Sequence, residues 1–148
     1  MDIKVSICVP IYGVELYIKR CAVSLLEQTY SNLEYIFVND CTKDNSISIL
    51  NDTIMSYPHR QNQIKIIDHK TNCGLGVARN TAVKHATGDY IVWVDSDDYI
   101  EPNAVEKLVY ASAEGSVDIV LGSYIEHHNG YDKYIKQPSV RNIKDYRL

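Results

Sequence analysis

The chain has one tryptophan, one phenylalanine and two methionines among its 148 residues, and its four cysteines include no Cys-x-x-Cys pair. A disulfide scaffold or a zinc ribbon needs cysteines at higher density or closer spacing, so reduced thiols are expected. Cys8 and Cys21 fall in apolar segments and read as core residues, whereas Cys41 and Cys73 fall in predicted loops. Basic residues are also short, with 15 Lys and Arg against 19 Asp and Glu and a formal net charge of −4. With no basic stripe to displace counterions, nucleic acid is excluded as the expected partner. No apolar run approaches the ~18 residues that a membrane span requires. The start, Met1-Asp2-Ile3-Lys4, runs straight into a predicted strand without the shape of a signal peptide, so the cytoplasm is the expected location. Internal repeats and low-complexity segments are absent, and the length suits one domain with one core.

What the chain does have is Asp95-Ser96-Asp97-Asp98, placed directly after the apolar run Tyr90-Ile91-Val92-Trp93-Val94. That run follows the turn signal Gly88-Asp89 and reads as a buried strand. Three carboxylates at a strand's end repel one another and are costly to desolvate, which suggests a cation shared among them. Oxygen-only ligands favour Mg²⁺ or Mn²⁺, bound with few protein ligands where substrate phosphates complete the shell. An acidic loop capping the next helix would show the same spacing.

Strand and helix signals alternate along the rest of the chain. Strands are predicted from Lys4 to about Pro10, at 34–39, at 64–67, at 90–94 and at Asp118-Ile119-Val120-Leu121-Gly122. Between them, Tyr17, Cys21 and Leu25 recur at helical spacing from residue 16 to about 28. Ile47, Leu50 and Ile54 do so from 44 to about 57, with Thr42 or Asp44 as the N-cap. Asn72-Cys73-Gly74-Leu75-Gly76 reads as a turn opening a helix whose Ala78 and Ala82 allow close packing on a sheet. Pro102 precedes a helix with Val105, Leu108, Val109 and Ser112 on one face. This order predicts an α/β fold, a three-layer arrangement in which a largely parallel sheet is flanked by helices. Ligands of such sheets bind beyond the carboxyl ends of the strands, where Pro10 to Gly13, Asp40 and Asp95 to Asp98 all fall.

Several of these segments form a recurring set: Val5-Ser6-Ile7-Cys8-Val9-Pro10-Ile11-Tyr12, then Leu26-Glu27-Gln28-Thr29-Tyr30, then Val38-Asn39-Asp40 with Asp44-Asn45-Ser46. Asn72-Cys73-Gly74-Leu75-Gly76-Val77-Ala78-Arg79-Asn80 follows, and Gly88-Asp89-Tyr90-Ile91 leads into Val94-Asp95-Ser96-Asp97-Asp98. In order and spacing, across residues 3 to 125, they resemble the N-terminal nucleotide-sugar-binding part of the family-two inverting glycosyltransferases of the GT-A fold. The resemblance implies transfer of a sugar from a nucleotide-diphosphate donor, a UDP-sugar first, to a saccharide or lipid-linked acceptor, as in polysaccharide biosynthesis. It implies that Pro10 and Tyr12 flank the nucleobase, that Asp40 accepts a hydrogen bond from the base ring, and that Arg79 sits at the nucleotide's edge. Asp95 would meet the ribose, and Asp97 would hold the Mn²⁺ or Mg²⁺ that bridges the diphosphate, with Asp98 in support.

Two loop positions depart from the family's common pattern: Gly13 where Asn is frequent, and Asn39-Asp40-Cys41 where Asp-Asp-Gly is frequent. A larger departure is that relatives place the general base and the acceptor walls well downstream of the metal motif, and no such acidic motif follows Asp98. Glu126, Asp132 and Asp145 do not resemble it, so no general base is assigned. The chain is therefore expected to comprise a donor-binding domain over 1–125 and a hairpin or tail over 126–148, truncated before an acceptor-binding part. Peripheral membrane association through that missing part, and self-association through tail residues Tyr131, Tyr134, Ile135 and Val140, are consistent with such a truncation. His127-His128 before Asn129-Gly130 reads as a solvated hairpin end, and His59, His69 and His85 as isolated surface or boundary residues. Gly74-Leu75-Gly76 lacks the remaining residues of a phosphate-cradling loop. The alternatives are a donor-binding module without turnover and an Asp-x-Asp phosphohydrolase. The latter wants its aspartates near the chain start and a Thr after them, where this chain has Tyr99.

Overall fold

The structure is a computed structural model that describes residues 3–112 and 115–137. Strands β1 (Val5–Ile11), β2 (Leu33–Asn39), β3 (Ile64–Asp68) and β4 (Tyr90–Trp93) form one sheet in the order β3-β2-β1-β4. Every neighbouring pair is parallel. Helices α1 (Ile18–Leu26), α2 (Ser46–Met55) and α3 (Leu75–His85) make the crossovers, and α4 (Ala104–Ala111) follows β4. A separate antiparallel hairpin, β5 (Tyr124–His128) and β6 (Tyr131–Ile135), turns at Asn129-Gly130 as expected from sequence.

Side chains alternate across the sheet, and both faces are covered. Val5, Ile7, Val9 and Ile11 of β1 and Leu33, Tyr35 and Phe37 of β2 pack with Ile18, Cys21, Ala22 and Leu25 of α1, Leu50 of α2 and Val105 of α4. The opposite face brings Cys8, Ile36 and Val38 against Ala78 and Ala82 of α3, whose small side chains let the helix approach closely. Buried thiols here behave as hydrophobes, and burial pushes Cys8 and Cys21 up to about 12. Beside α3 this second face turns polar. Glu34 accepts hydrogen bonds from Ser6 Oγ at 2.6 Å, from the Thr87 N–H, from Thr87 Oγ1 at 2.9 Å and from Lys4 Nζ at 3.1 Å.

Pro10 sits inside a central strand, a position that normally loses a ladder bond. It is tolerated because β4 pairs with β1 only as far as Cys8, whose carbonyl accepts from Val94 N–H. Pro10, two residues on, faces the same side beyond the end of β4. The Leu26-Glu27-Gln28-Thr29-Tyr30 segment ties α1 to the chain that follows the acidic loop. Gln28 Nε2 donates to the Glu101 carbonyl at 2.7 Å, its Oε1 accepts from Val105 N–H at 3.0 Å, and Thr29 N–H donates to the Pro102 carbonyl.

Three sequence expectations are corrected. Residues 118–122 form no strand: no neighbouring backbone in the described residues takes up their hydrogen bonds, and Ile119 is 69% exposed. The N-cap of α2 is Asn45, while Asp44, one residue earlier, accepts from Ser46 N–H and from the Ser46 and Thr42 hydroxyls. Tyr17 is exposed, and Ile18 takes the buried place on α1. Tyr131 and Tyr134 are exposed on the hairpin, whereas Val140 and Asp145 lie outside the described residues.

Candidate active site

Because all four sheet strands are parallel, their carboxyl ends share one edge, and the residues after each strand meet there. After β1 come Tyr12, 54% exposed, and Gly13 with φ 71°. The Gly13 N–H donates to Thr42 Oγ1, Val14 N–H to Ser46 Oγ, and Glu15 N–H to Asp44 Oδ2 at 2.9 Å, so the loops after β1 and β2 are stitched together. Burial alone would raise the Asp44 carboxyl, but the Ser46 and Thr42 hydroxyls and the Glu15 and Ser46 N–H groups that donate to it outweigh burial and bring the group down to about 2. Cys41 takes the left-handed region at φ 58°, which accounts physically for a glycine preference at that loop position.

Asp40, directly after β2, is only 3% exposed. Its Oδ1 accepts from Cys73 N–H at 2.8 Å and pairs with His69 Nδ1 at 2.7 Å, and its Oδ2 accepts from Gly74 N–H at 2.7 Å. Desolvation opposes ionisation, yet these donors together hold the carboxyl below the usual carboxylate range. One lone pair, on Oδ2, is left for anything else. His69 follows β3 immediately, and its Nε2 lies 2.9 Å from Thr81 Oγ1 of α3. It is therefore a boundary residue, as one of the expectations from sequence had it, but not an isolated one. Its position two residues past a predicted strand was the available signal.

After β4 the acidic segment folds as a turn, with Asp98 N–H on the Asp95 carbonyl at 2.9 Å. Val94 and Ser96 point inward, and Asp95, Asp97 and Asp98 outward. Arg79 Nη2 donates to Asp95 Oδ1 at 2.8 Å, and the guanidinium lies 5.7 Å from the Trp93 ring centroid. Arg79 Nε is buried with no hydrogen-bond partner among the described residues. Arg79 and Asp95, read separately from sequence, are thus one ion pair, and Trp93 joins them.

As they stand, the three carboxylates of the loop are not all drawn together into one close ligand set among the described residues. Asp95 is engaged by Arg79, which leaves Asp97 and Asp98. Burial, then the negative charges of Asp97 and Asp95, raise the Asp98 carboxyl above its ordinary value. An all-oxygen donor pair under mutual repulsion fits a hard divalent cation that completes its shell with phosphate and water.

Sequence reading missed two supports of this loop. Arg20 Nη2 donates to the Asp97 carbonyl at 3.0 Å, and its guanidinium lies 4.5 Å from the Tyr99 ring centroid. The Tyr99 hydroxyl lies 2.8 Å from His127 Nε2, and His127 Nδ1 lies 2.8 Å from Asp132 Oδ1, so the hairpin is moored to the acidic loop. Along α1, a groove of about 530 Å³ is lined by Leu16, Arg20, Val23, Ile100 and Pro102 among others. It includes none of the residues expected to bind nucleotide. Among the described residues, no helix is long and apolar enough to cross a membrane.

Residues 6–147 match the family model described as Glycosyl transferase family 2. The chain is 45% identical over 131 residues to the uncharacterized glycosyltransferase EpsJ of Bacillus subtilis, covering 88% of this chain and 37% of that protein. It is 38% identical over 124 residues to glycosyltransferase GlyA of Streptococcus pneumoniae, covering 84% of this chain and 17% of that one. Among solved structures, S. aureus TarS 1-349 in complex with UDP aligns with a TM-score of 0.71 at 28% identity, covering 92% of this chain and 38% of that chain. The parallel sheet, the helices on both faces and the polar edge thus occupy the first part of longer proteins, of which this chain spans well under half. The chain belongs to glycosyltransferase family 2 and corresponds to the N-terminal, GT-A-type part of its members.

Proposed function

We propose that this chain is the donor-binding part of an inverting glycosyltransferase that takes a sugar from a nucleoside-diphosphate donor. The observation that carries this reading is the convergence of four strand ends on one edge, with a guanidinium, an aromatic ring and free carboxylates side by side at β4. TarS complexes with UDP and with UDP-GlcNAc support a uridine donor.

In this reading, Pro10 and Tyr12 border the base, and Asp40 meets the base ring through its remaining lone pair while fixing the Cys73-Gly74 turn. Asp95, oriented by Arg79, meets the ribose. The buried Arg79 Nε supplies a further donor at the nucleotide's edge. Asp97 and Asp98 would hold Mn²⁺ or Mg²⁺, which when bound stabilises negative charge on the departing diphosphate. Residues 1–125 form the donor-binding domain, and 126–148 lead towards an acceptor-binding part that recognises a saccharide or lipid-linked hydroxyl.

Calorimetry with UDP tests the reading. Binding is expected with Mn²⁺ or Mg²⁺, to weaken strongly in chelator, and to lose its metal dependence in Asp97→Ala. Equal binding in chelator would remove the metal role, and no binding under any condition would remove the donor role.

A second reading, donor binding without turnover, is favoured by a specific observation: the acidic residues of the hairpin are already paired. Glu126 sits with Lys133 and His128, and Asp132 with His127. Neither stands free to take a proton from an acceptor hydroxyl.

A further inference from the structure

We propose that Asp40, His69 and Cys73 form a binding site for a thiophilic divalent cation of the zinc class, separate from the acidic loop after β4. Three segments far apart in sequence deliver the ligands: the end of β2, the end of β3 and the turn that opens α3. One oxygen, one nitrogen and one sulfur atom from these side chains lie within 4.8 Å of one another. This mixed donor set suits zinc and disfavours Mg²⁺, whereas the acidic loop offers oxygen alone. The two sites lie on the same sheet edge with the end of β1 between them, and they differ in the metals they select.

The geometry requires only side-chain adjustment. Zinc bonds of about 2.0–2.3 Å at tetrahedral angles separate ligand atoms by roughly 3.3–3.7 Å. The Asp40 Oδ1 to His69 Nδ1 pair, now at 2.7 Å, opens by about half an ångström around the ion, and exposed Cys73 rotates its thiol inward. Three protein ligands leave a fourth position for water.

The surroundings already hold two of these ligands, His69 and Asp40, in place. Thr81 Oγ1, 2.9 Å from His69 Nε2, fixes the ring from behind, as outer partners of metal-bound histidines do. Asp40 Oδ2 keeps its bond from Gly74 N–H, so the carboxylate presents Oδ1. Protons balance as follows: the Cys73 thiol releases one to solvent, and the metal-bound imidazole, ligating through Nδ1, carries its proton on Nε2. There it donates to the Thr81 hydroxyl. Two anionic ligands then neutralise the dication.

Titration of Co²⁺ into the reduced full chain tests the site without reference to sugar transfer. One equivalent is expected to produce tetrahedral ligand-field bands and a thiolate-to-cobalt charge-transfer band, both bleached by Zn²⁺. Cys73→Ser, at an exposed position, is expected to abolish the charge-transfer band, and Cys41→Ser to leave it intact. Thr81→Val is expected to weaken binding about 10–100-fold. Zn²⁺ is also expected to raise the melting temperature of the unmodified chain and not that of Cys73→Ser. Absence of the band in the unmodified chain, or its persistence in Cys73→Ser, would overturn the proposal.

Discussion

Glu34 and Arg60 are charged side chains that the core could not hold without dense hydrogen bonding. Burial alone would raise the Glu34 carboxyl, but donors from Ser6, Thr87 and Lys4 outweigh it and bring the group to about 2. A carboxyl depressed on folding stabilises above its unfolded value, near 4.3, and loses that contribution as pH falls towards 2. Glu34→Gln is therefore expected to flatten the acid limb of stability between about pH 4.5 and 2, read as urea midpoints across that range. Arg60, 8% exposed, pairs with no carboxylate among the described residues. It donates to the carbonyls of Leu26, Gln28, Tyr30 and Ser31 and so holds the turn between α1 and β2. Arg60→Ala is expected to destabilise by about 2–4 kcal/mol, and Arg60→Lys to recover little, because an ammonium cannot reach several carbonyls in a planar fork. Denaturant midpoints of the two variants check this.

At the scale of elements, two glycines separate backbone freedom from close approach. A side chain on Gly88, just before β4, would meet Ser6 Oγ at 2.7 Å, and the Lys4 carbonyl and Ser6 nitrogen at 2.8 Å. Two of these are backbone atoms that cannot step aside. Gly88→Ala is expected to cost about 1–3 kcal/mol by forcing β4 away from β1. Gly76, in the first turn of α3, has nothing within 4 Å of an added Cβ and no unusual φ. Gly76→Ala is expected to stabilise by about 0.5–1 kcal/mol through helix propensity. Thermal melts of the pair should move in opposite directions. An equal response would mean that the crowding at Gly88 is relieved by strand movement.

For the whole molecule, the sheet edge offers groups suited to a donor, while the hairpin carboxylates are occupied by histidine and lysine partners. The 148-residue chain is accordingly expected to bind a nucleoside diphosphate and to transfer little or no sugar. A positioned general base is worth about 10²–10⁴-fold, and acceptor orientation adds to it. Incubation with a panel of nucleotide sugars, Mn²⁺ and acceptors checks this. Robust transfer with inverted anomeric configuration would show that a base has been overlooked and that the chain suffices for turnover.

The alternation of apolar runs with Gly and Pro breaks was enough to predict the parallel α/β fold, because parallel neighbours need crossover connections of about this length and the helical segments supply them. It also placed Asp40 and Asp95 to Asp98 at strand ends on one edge, since in a parallel sheet all carboxyl ends coincide. Tertiary structure alone decided which side chains become partners. Asp40 meets His69 and Cys73 across 29 and 33 residues, and Arg60 reaches carbonyls about thirty residues away. Such pairings follow from strand register and helix docking, which no local pattern encodes. The same reason explains residues 118–122. Their apolar run has strand character, but a strand exists only where another backbone accepts its hydrogen bonds, and whether one lies alongside is settled by the fold.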